Sequence, residues 1–170
     1  STGFGTATFP VYYGIMVDGI RVTADNAGNV LGNGTVSYDP ENNVLTLNNA
    51  QLTIHGSAAV TIDNDNEQTT IHLKGRNIFV AYEMGFVNAG EKAHTLLFTT
   101  DEEQPGTLTM PFQNAETMFG ENIVAEYANT LELVDNNQIL PHVDIPQIDL
   151  SQMSICYTGK KVALAGNSQV

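Results

Sequence analysis

Val44-Leu45-Thr46-Leu47-Asn48-Asn49 is answered 26 residues later by Thr70-Ile71-His72-Leu73-Lys74-Gly75, and this echo decides the fold. In both stretches apolar side chains alternate with polar ones, the period of a strand with one buried face. The same offset carries Leu52/Ile54 onto Ile78/Val80 and Val60 onto Phe86. A third copy begins one residue early at Leu96/Phe98 and resumes at Leu108/Met110 after the acidic insertion Asp101–Gly106. A looser fourth uses Ile123–Ala125 and Leu131–Val134. Asn49 and Gly75 hold the same place in successive copies, and both accept the left-handed backbone that a sharp corner needs. A unit this short cannot bury its own apolar face, so the copies must stack and share one core. The expectation is an all-β chain wound into a short right-handed β-helix, a solenoid of three to four rungs. A β-sandwich also has short strands about every 8–12 residues, but gives them no reason to recur at a constant offset.

Both ends of such a coil expose strand edges and apolar core, so each needs a cap. The expected organisation is one domain over residues 1–170: an N-terminal hairpin cap (1–43), the rungs (44–140) and a C-terminal hairpin cap (141–170). Tyr13–Val17 and Ile20–Thr23 flank Asp18-Gly19, a strong two-residue hairpin signal. Beyond Pro141 and Pro146, Ser154–Tyr157 and Lys161–Ala165 read as a second hairpin across Thr158-Gly159-Lys160.

The chain carries 19 Asp and Glu against 6 Lys and Arg, a net charge of −13. Nucleic-acid binding needs clustered Lys and Arg to displace phosphate counterions, so neither nucleic acid nor an anionic membrane is an expected partner. No stretch approaches the roughly 18 apolar residues of a membrane span. Cys156 is the single cysteine, which excludes an internal disulfide and reads as a small buried apolar residue. The chain starts at Ser1 without Met, which leaves open a signal peptide or upstream domains, and the expectation is part of a longer polypeptide.

Tyr13-Gly14-Ile15-Met16-Val17-Asp18-Gly19-Ile20-Arg21-Val22-Thr23, Gly32-Asn33-Gly34-Thr35-Val36-Ser37-Tyr38-Asp39-Pro40 and Leu45-Thr46-Leu47-Asn48-Asn49-Ala50 together resemble a recurring module of bacterial surface and secreted proteins. The likeness is to β-helical domains described as carbohydrate-binding domain-containing, and it covers about the first two-thirds of the chain. It implies a β-helical fold, secretion or display at the cell surface, and a polysaccharide partner. Some members of that broad group bind acidic plant polysaccharide with calcium; no ligand residue of theirs maps onto this chain.

Read for chemistry, the chain offers few candidates. Asp63, Asp65 and Glu67 alternate in Asp63-Asn64-Asp65-Asn66-Glu67 and are the best calcium candidate, since a hard cation takes several oxygens. An EF-hand would need Gly and Glu where Gln68 and Lys74 stand, and a solvated corner is the favoured reading. Tyr82 is the candidate sugar-stacking ring, in a chain without Trp. Asp101-Glu102-Glu103 reads as a solvated turn rather than a glycosidase pair. His55, His72, His94 and His142 lack zinc spacing and read as surface or corner residues. A polysaccharide lyase would need Lys74 or Arg76 as base beside calcium-bound acids and ranks last. The resemblance, more than any residue, implies a non-catalytic extracellular module that binds glycan, with a structural or adhesive spacer as the alternative. No cofactor is expected apart from calcium.

Overall fold

Alternation of buried and exposed residues dictates strands throughout, and a computed structural model describes residues 8–54, 58–81, 83–142 and 151. β1 (Tyr12–Val17) and β2 (Ile20–Thr23) make an antiparallel hairpin. Its turn residues Asp18 and Gly19 have φ of 50° and 74°, as the right-handed twist of a two-residue hairpin requires. A loop leads to β3 (Val36–Asp39). Then follow β4 (Val44–Asn48), β5 (Gln51–Ile54) and β6 (Ala58–Ile62), and after them β7 (Gln68–Lys74), β8 (Arg76–Ala81) and β9 (Met84–Asn88). β10 (His94–Thr100), β11 (Thr107–Thr109) and the four-residue helix α1 (Ala115–Met118) come next. β12 (Ile123–Tyr127), β13 (Leu131–Val134) and β14 (Gln138–Pro141) complete the described elements.

The strands form three mixed sheets, ordered β2-β1-β6-β9, β12-β10-β7-β4-β3 and β13-β14-β11-β8-β5. From β4 onward the chain enters the second sheet, then the third, then the first, and repeats that order with β7, β8 and β9. β10 and β11 begin a third circuit, closed by a parallel bridge from Phe119 to Phe86. Equivalent strands of successive circuits pair in parallel. Leu45 lies opposite Ile71 and Leu47 opposite Leu73, while Val60 lies opposite Phe86, all at the offset of 26.

The other parallel pairings depart from that offset. Leu52 meets Phe79 rather than Ile78, a spacing of 27. The additional residue is Asn77, fully buried at the corner, where its Oδ1 accepts the Ala50 N–H (2.8 Å) and its Nδ2 donates to the Thr107 (3.1 Å) and Leu47 (3.3 Å) carbonyls. In the third circuit Phe98 meets Ile71, and Leu96 meets Thr69, so this copy is offset by 27 instead of starting early. Within the expected fourth copy, β12 pairs in parallel with β10. Leu131–Val134 does not continue the parallel stack: it pairs antiparallel with β14, which itself lies antiparallel to β11. The expected hairpin Ser154–Tyr157/Lys161–Ala165 lies outside the described residues.

Inward positions pack into one core. Leu45, Leu47, Ile71, Leu73, Leu96 and Phe98 are fully buried along the second sheet. Phe86 packs against Phe79 (centroids 6.2 Å), edge-on to Phe98 (5.5 Å) and stacked on Phe119 (5.8 Å), the offset and T-shaped geometries aromatic quadrupoles favour. Asn49 and Gly75 both turn the corner with positive φ (53° and 63°). A Cβ on Gly75 would stand 2.2 Å from the Asn49 Oδ1, so any other residue there would displace that side chain and strain the positive φ. β1 covers the free side of β6 and β3 that of β4, both antiparallel.

Leu47→Asp should leave the domain unfolded at room temperature, because an unpaired charge in the shared core costs several kcal/mol against a usual stability of about 5–15 kcal/mol; circular dichroism melting checks this, and an unchanged melting temperature contradicts it. Asn77→Ala should cost about 3 kcal/mol by stranding the Ala50 N–H and two carbonyls, measured by urea unfolding with the slope unchanged.

Candidate functional site

The outer face of the second sheet carries a set of polar side chains linked by hydrogen bonds. Because Ser37 pairs with Thr46, Thr46 with His72 and His72 with Thr99, four polar side chains line up across β3, β4, β7 and β10. Beside them Asn48 pairs with Lys74, and Asp101 follows on the strand beyond. The alternation that sends Leu45, Leu47, Ile71 and Leu73 inward sends these outward.

His72 is the centre of this face. Its Nε2 lies 3.3 Å from Asp101 Oδ1 and its Nδ1 2.7 Å from Thr99 Oγ1. A carboxylate can only accept, so Nε2–H donates to Asp101, and Nδ1 shares a hydrogen bond with the Thr99 hydroxyl. Asp101 Oδ2 accepts the Gln104 backbone N–H (2.9 Å). That bond first, then His72 and the charge of Lys74, hold the Asp101 carboxyl below its ordinary range. Gln104 closes the corner by reaching Asn48 Oδ1 with its Nε2 (3.4 Å). The Asp101-Glu102-Glu103 run is thus split: Asp101 serves the face while Glu102 and Glu103 are exposed. The arrangement can donate and accept hydrogen bonds to hydroxyl groups, and it holds fixed charges of both signs.

Asp63, Asp65 and Glu67 are all exposed at the corner between β6 and β7. They do not converge, and among the described residues no group of three or more His, Cys, Asp or Glu could hold a metal ion. The residue doing structural work there is Asn64, whose Nδ2 donates to the Gly14 carbonyl (3.0 Å) and whose Oδ1 accepts the Asn66 N–H (3.0 Å). This corner therefore ties the N-terminal hairpin to β6. Asp63 also stands beside Tyr12; burial first, then that carboxylate, raise the phenol above its ordinary value, opposed by Arg21 stacked 3.8 Å from the ring centroid. Tyr82 lies outside the described residues. Tyr13 and Tyr38 pack together in the core (5.5 Å), and Tyr127 stacks on Phe98 (5.6 Å), where burial pushes its phenol up to about 12.

His94 departs from the surface expectation. It is buried, with Nδ1–H donating to the Asn66 carbonyl (2.7 Å) and Nε2 accepting from the Thr69 hydroxyl (2.7 Å). Burial pushes its pKa below the ordinary 6.5. A signal for this existed: His94 shares the parity of Leu96 and Phe98, the inward residues of the same strand. The His72 cluster was legible likewise, since His72 falls at the polar position between Ile71 and Leu73.

Among the described residues no helix is long and apolar enough to cross a membrane. Comparison with protein-family models, with curated proteins and with solved structures returned no match.

The sign of the His94 effect on stability follows from its lowered pKa. Between the folded value and 6.5 the unfolded chain binds a proton that the folded chain refuses, so stability is complete above about 6.5 and declines as the pH falls through that window. Melting temperatures from pH 7.5 to 5 should therefore fall more steeply for the wild type than for His94→Gln; equal slopes contradict a buried neutral imidazole.

Proposed function

We propose that the three sheets are the faces of a short right-handed β-helix and that the domain is a non-catalytic extracellular module binding polysaccharide on the outer face of the second sheet. Cyclic passage through the sheets with parallel pairing supports the helix, and parallel crossovers are right-handed in about 98% of cases. The observation that carries the function is the pair of outward rows Ser37–Thr46–His72–Thr99 and Asn48–Lys74–Asp101. Hydroxyl, imidazole, amide, ammonium and carboxylate groups on a rigid sheet suit the hydroxyls of a sugar chain, and His72, Thr99, Asp101 and Gln104 hold one another in position. Polar groups already fixed in place lose little entropy on binding. The resemblance of residues 13–53 to carbohydrate-binding modules supports the same reading, as it does secretion or surface display.

The spacer reading has its own support. Tyr38 is buried, and the half-buried Tyr13 and Tyr127 lay their rings against Tyr38 and Phe98, which leaves little of these faces for a sugar. The polar rows then serve solubility, and the module holds its neighbours apart.

Isothermal calorimetry against neutral and uronic-acid oligosaccharides, each with calcium and with chelator, separates the two. Glycan binding predicts a saturable response that Lys74→Met and Asp101→Asn each weaken at least ten-fold, with the fold retained by circular dichroism. Silence across the panel supports the spacer. A calcium requirement surviving Asp63→Ala/Asp65→Ala excludes those acids as the metal site, and release of unsaturated sugars overturns the non-catalytic reading.

A further inference from the structure

We infer that the free edge of β5 accepts one extended strand from a partner protein, completing the layer that β1 and β3 leave open. Of the three strands that begin the parallel stack, β4 is covered by β3 and β6 by β1, whereas β5 is the terminal strand of its sheet. Its unpaired groups can be assigned. The Ile78 N–H donates to the Ala50 carbonyl (2.9 Å), and the Ala50 N–H reaches Asn77 Oδ1 in the same strand, so even-numbered residues of this segment point their backbone towards β8. Gln51 and Thr53 consequently direct two N–H and two C=O groups the other way. Both residues are exposed, and no hydrogen bond takes up those groups among the described residues.

An edge of this kind is normally blunted by charge, proline or a covering element. Gln51-Leu52-Thr53-Ile54 carries neither charge nor proline. Beyond the layer of β4, β5 and β6 the first sheet continues with β1 and β2 and the second with β3, so one strand added to β5 supplies the member its sheet lacks, at the usual spacing of about 4.8 Å. Two copies of a domain bearing −13 repel one another, which disfavours a second copy at this edge and favours a strand from a different protein. Charge selects the sort of strand: the chain bears −13, and Asp18 stands at the end of β1 with its N–H on the Ala59 carbonyl. The partner segment is therefore uncharged where it pairs, β-branched, and flanked by Lys or Arg. The inference rests on strand pairing alone and is independent of the glycan reading.

The probe is a fluorescein-labelled peptide, Lys-Thr-Val-Thr-Val-Thr-Lys, followed by fluorescence anisotropy and by amide exchange of the ¹⁵N-labelled protein. Expected are saturable binding that weakens with added salt and at least ten-fold slower exchange of the Gln51 and Thr53 amides at saturation. Thr53→Pro removes one outward N–H and no ladder bond, so it should weaken binding at least ten-fold without moving the melting temperature. N-methylating alternate amides along one edge of the peptide should abolish binding to the wild-type protein, and along the other edge leave it unchanged; this arm needs no protein variant. Absence of binding at millimolar peptide overturns the proposal, as does equal binding by both methylated peptides. Gln51 and Thr53 amides already protected without peptide would mean that the chain fills its own edge, and concentration-dependent dimerisation would mean that a second copy does; either overturns it.

Discussion

Leu45, Ile71 and Phe98 lie opposite one another on neighbouring parallel strands, all fully buried, and keeping this column dry constrains everything around it. No three-strand circuit can bury its inward side chains alone, so each borrows the next as its wall. Parallel pairing follows, because only strands running the same way let the chain pass through the second, third and first sheets in an unchanging order. The antiparallel strands occur where that order begins and stops: β1 and β3 at one end, β13 and β14 at the other. They cover edges and core that the stack would otherwise expose.

Corners carry the second constraint, since three changes of direction per circuit leave backbone groups that the ladders cannot satisfy. Asparagine meets it in two ways. Asn43, Asn49 and Asn122 accept positive φ, while Asn64 and Asn77 use their amides to hold neighbouring backbone. His94 and Thr69 do the same at the corner leading into β7, at the cost of an imidazole that must stay uncharged. The buried polar residues are thus fixed by the turns and have no evident share in chemistry.

The part of this design legible in the sequence is the part written in apolar residues. Leu45/Ile71, Leu47/Leu73 and Val60/Phe86 recur at 26, and Asn49/Gly75 mark the same corner, so the pairing of β4 with β7 and of β6 with β9 could be read directly. Misreadings fall where a polar side chain points inward. Asn77 adds a residue that hydrophobic spacing cannot see, and Leu96, which that spacing aligns with Ile71, lies opposite the buried Thr69. The β13–β14 hairpin was hidden differently. Asp135 and Asn136 both take positive φ (53° and 62°) and turn β13 back onto β14, whereas apolar spacing alone places Leu131–Val134 in the parallel series. For the candidate site, the alternation that hides Leu45 and Ile71 also turns Thr46 and His72 outward, but the contact of His72 with Asp101 depends on the loop at Gln104 and has no local signature.

The central claim is that successive circuits lie parallel and in the stated register, and solution NMR tests it most directly. Inter-strand backbone Overhauser contacts should join the segment around Leu45 to Ile71 and that around Ile71 to Phe98, with Leu52 joined to Phe79 and Val60 to Phe86 in the parallel pattern. Contacts joining these same segments in the antiparallel pattern, or the absence of any between Leu45 and Ile71, would contradict the account.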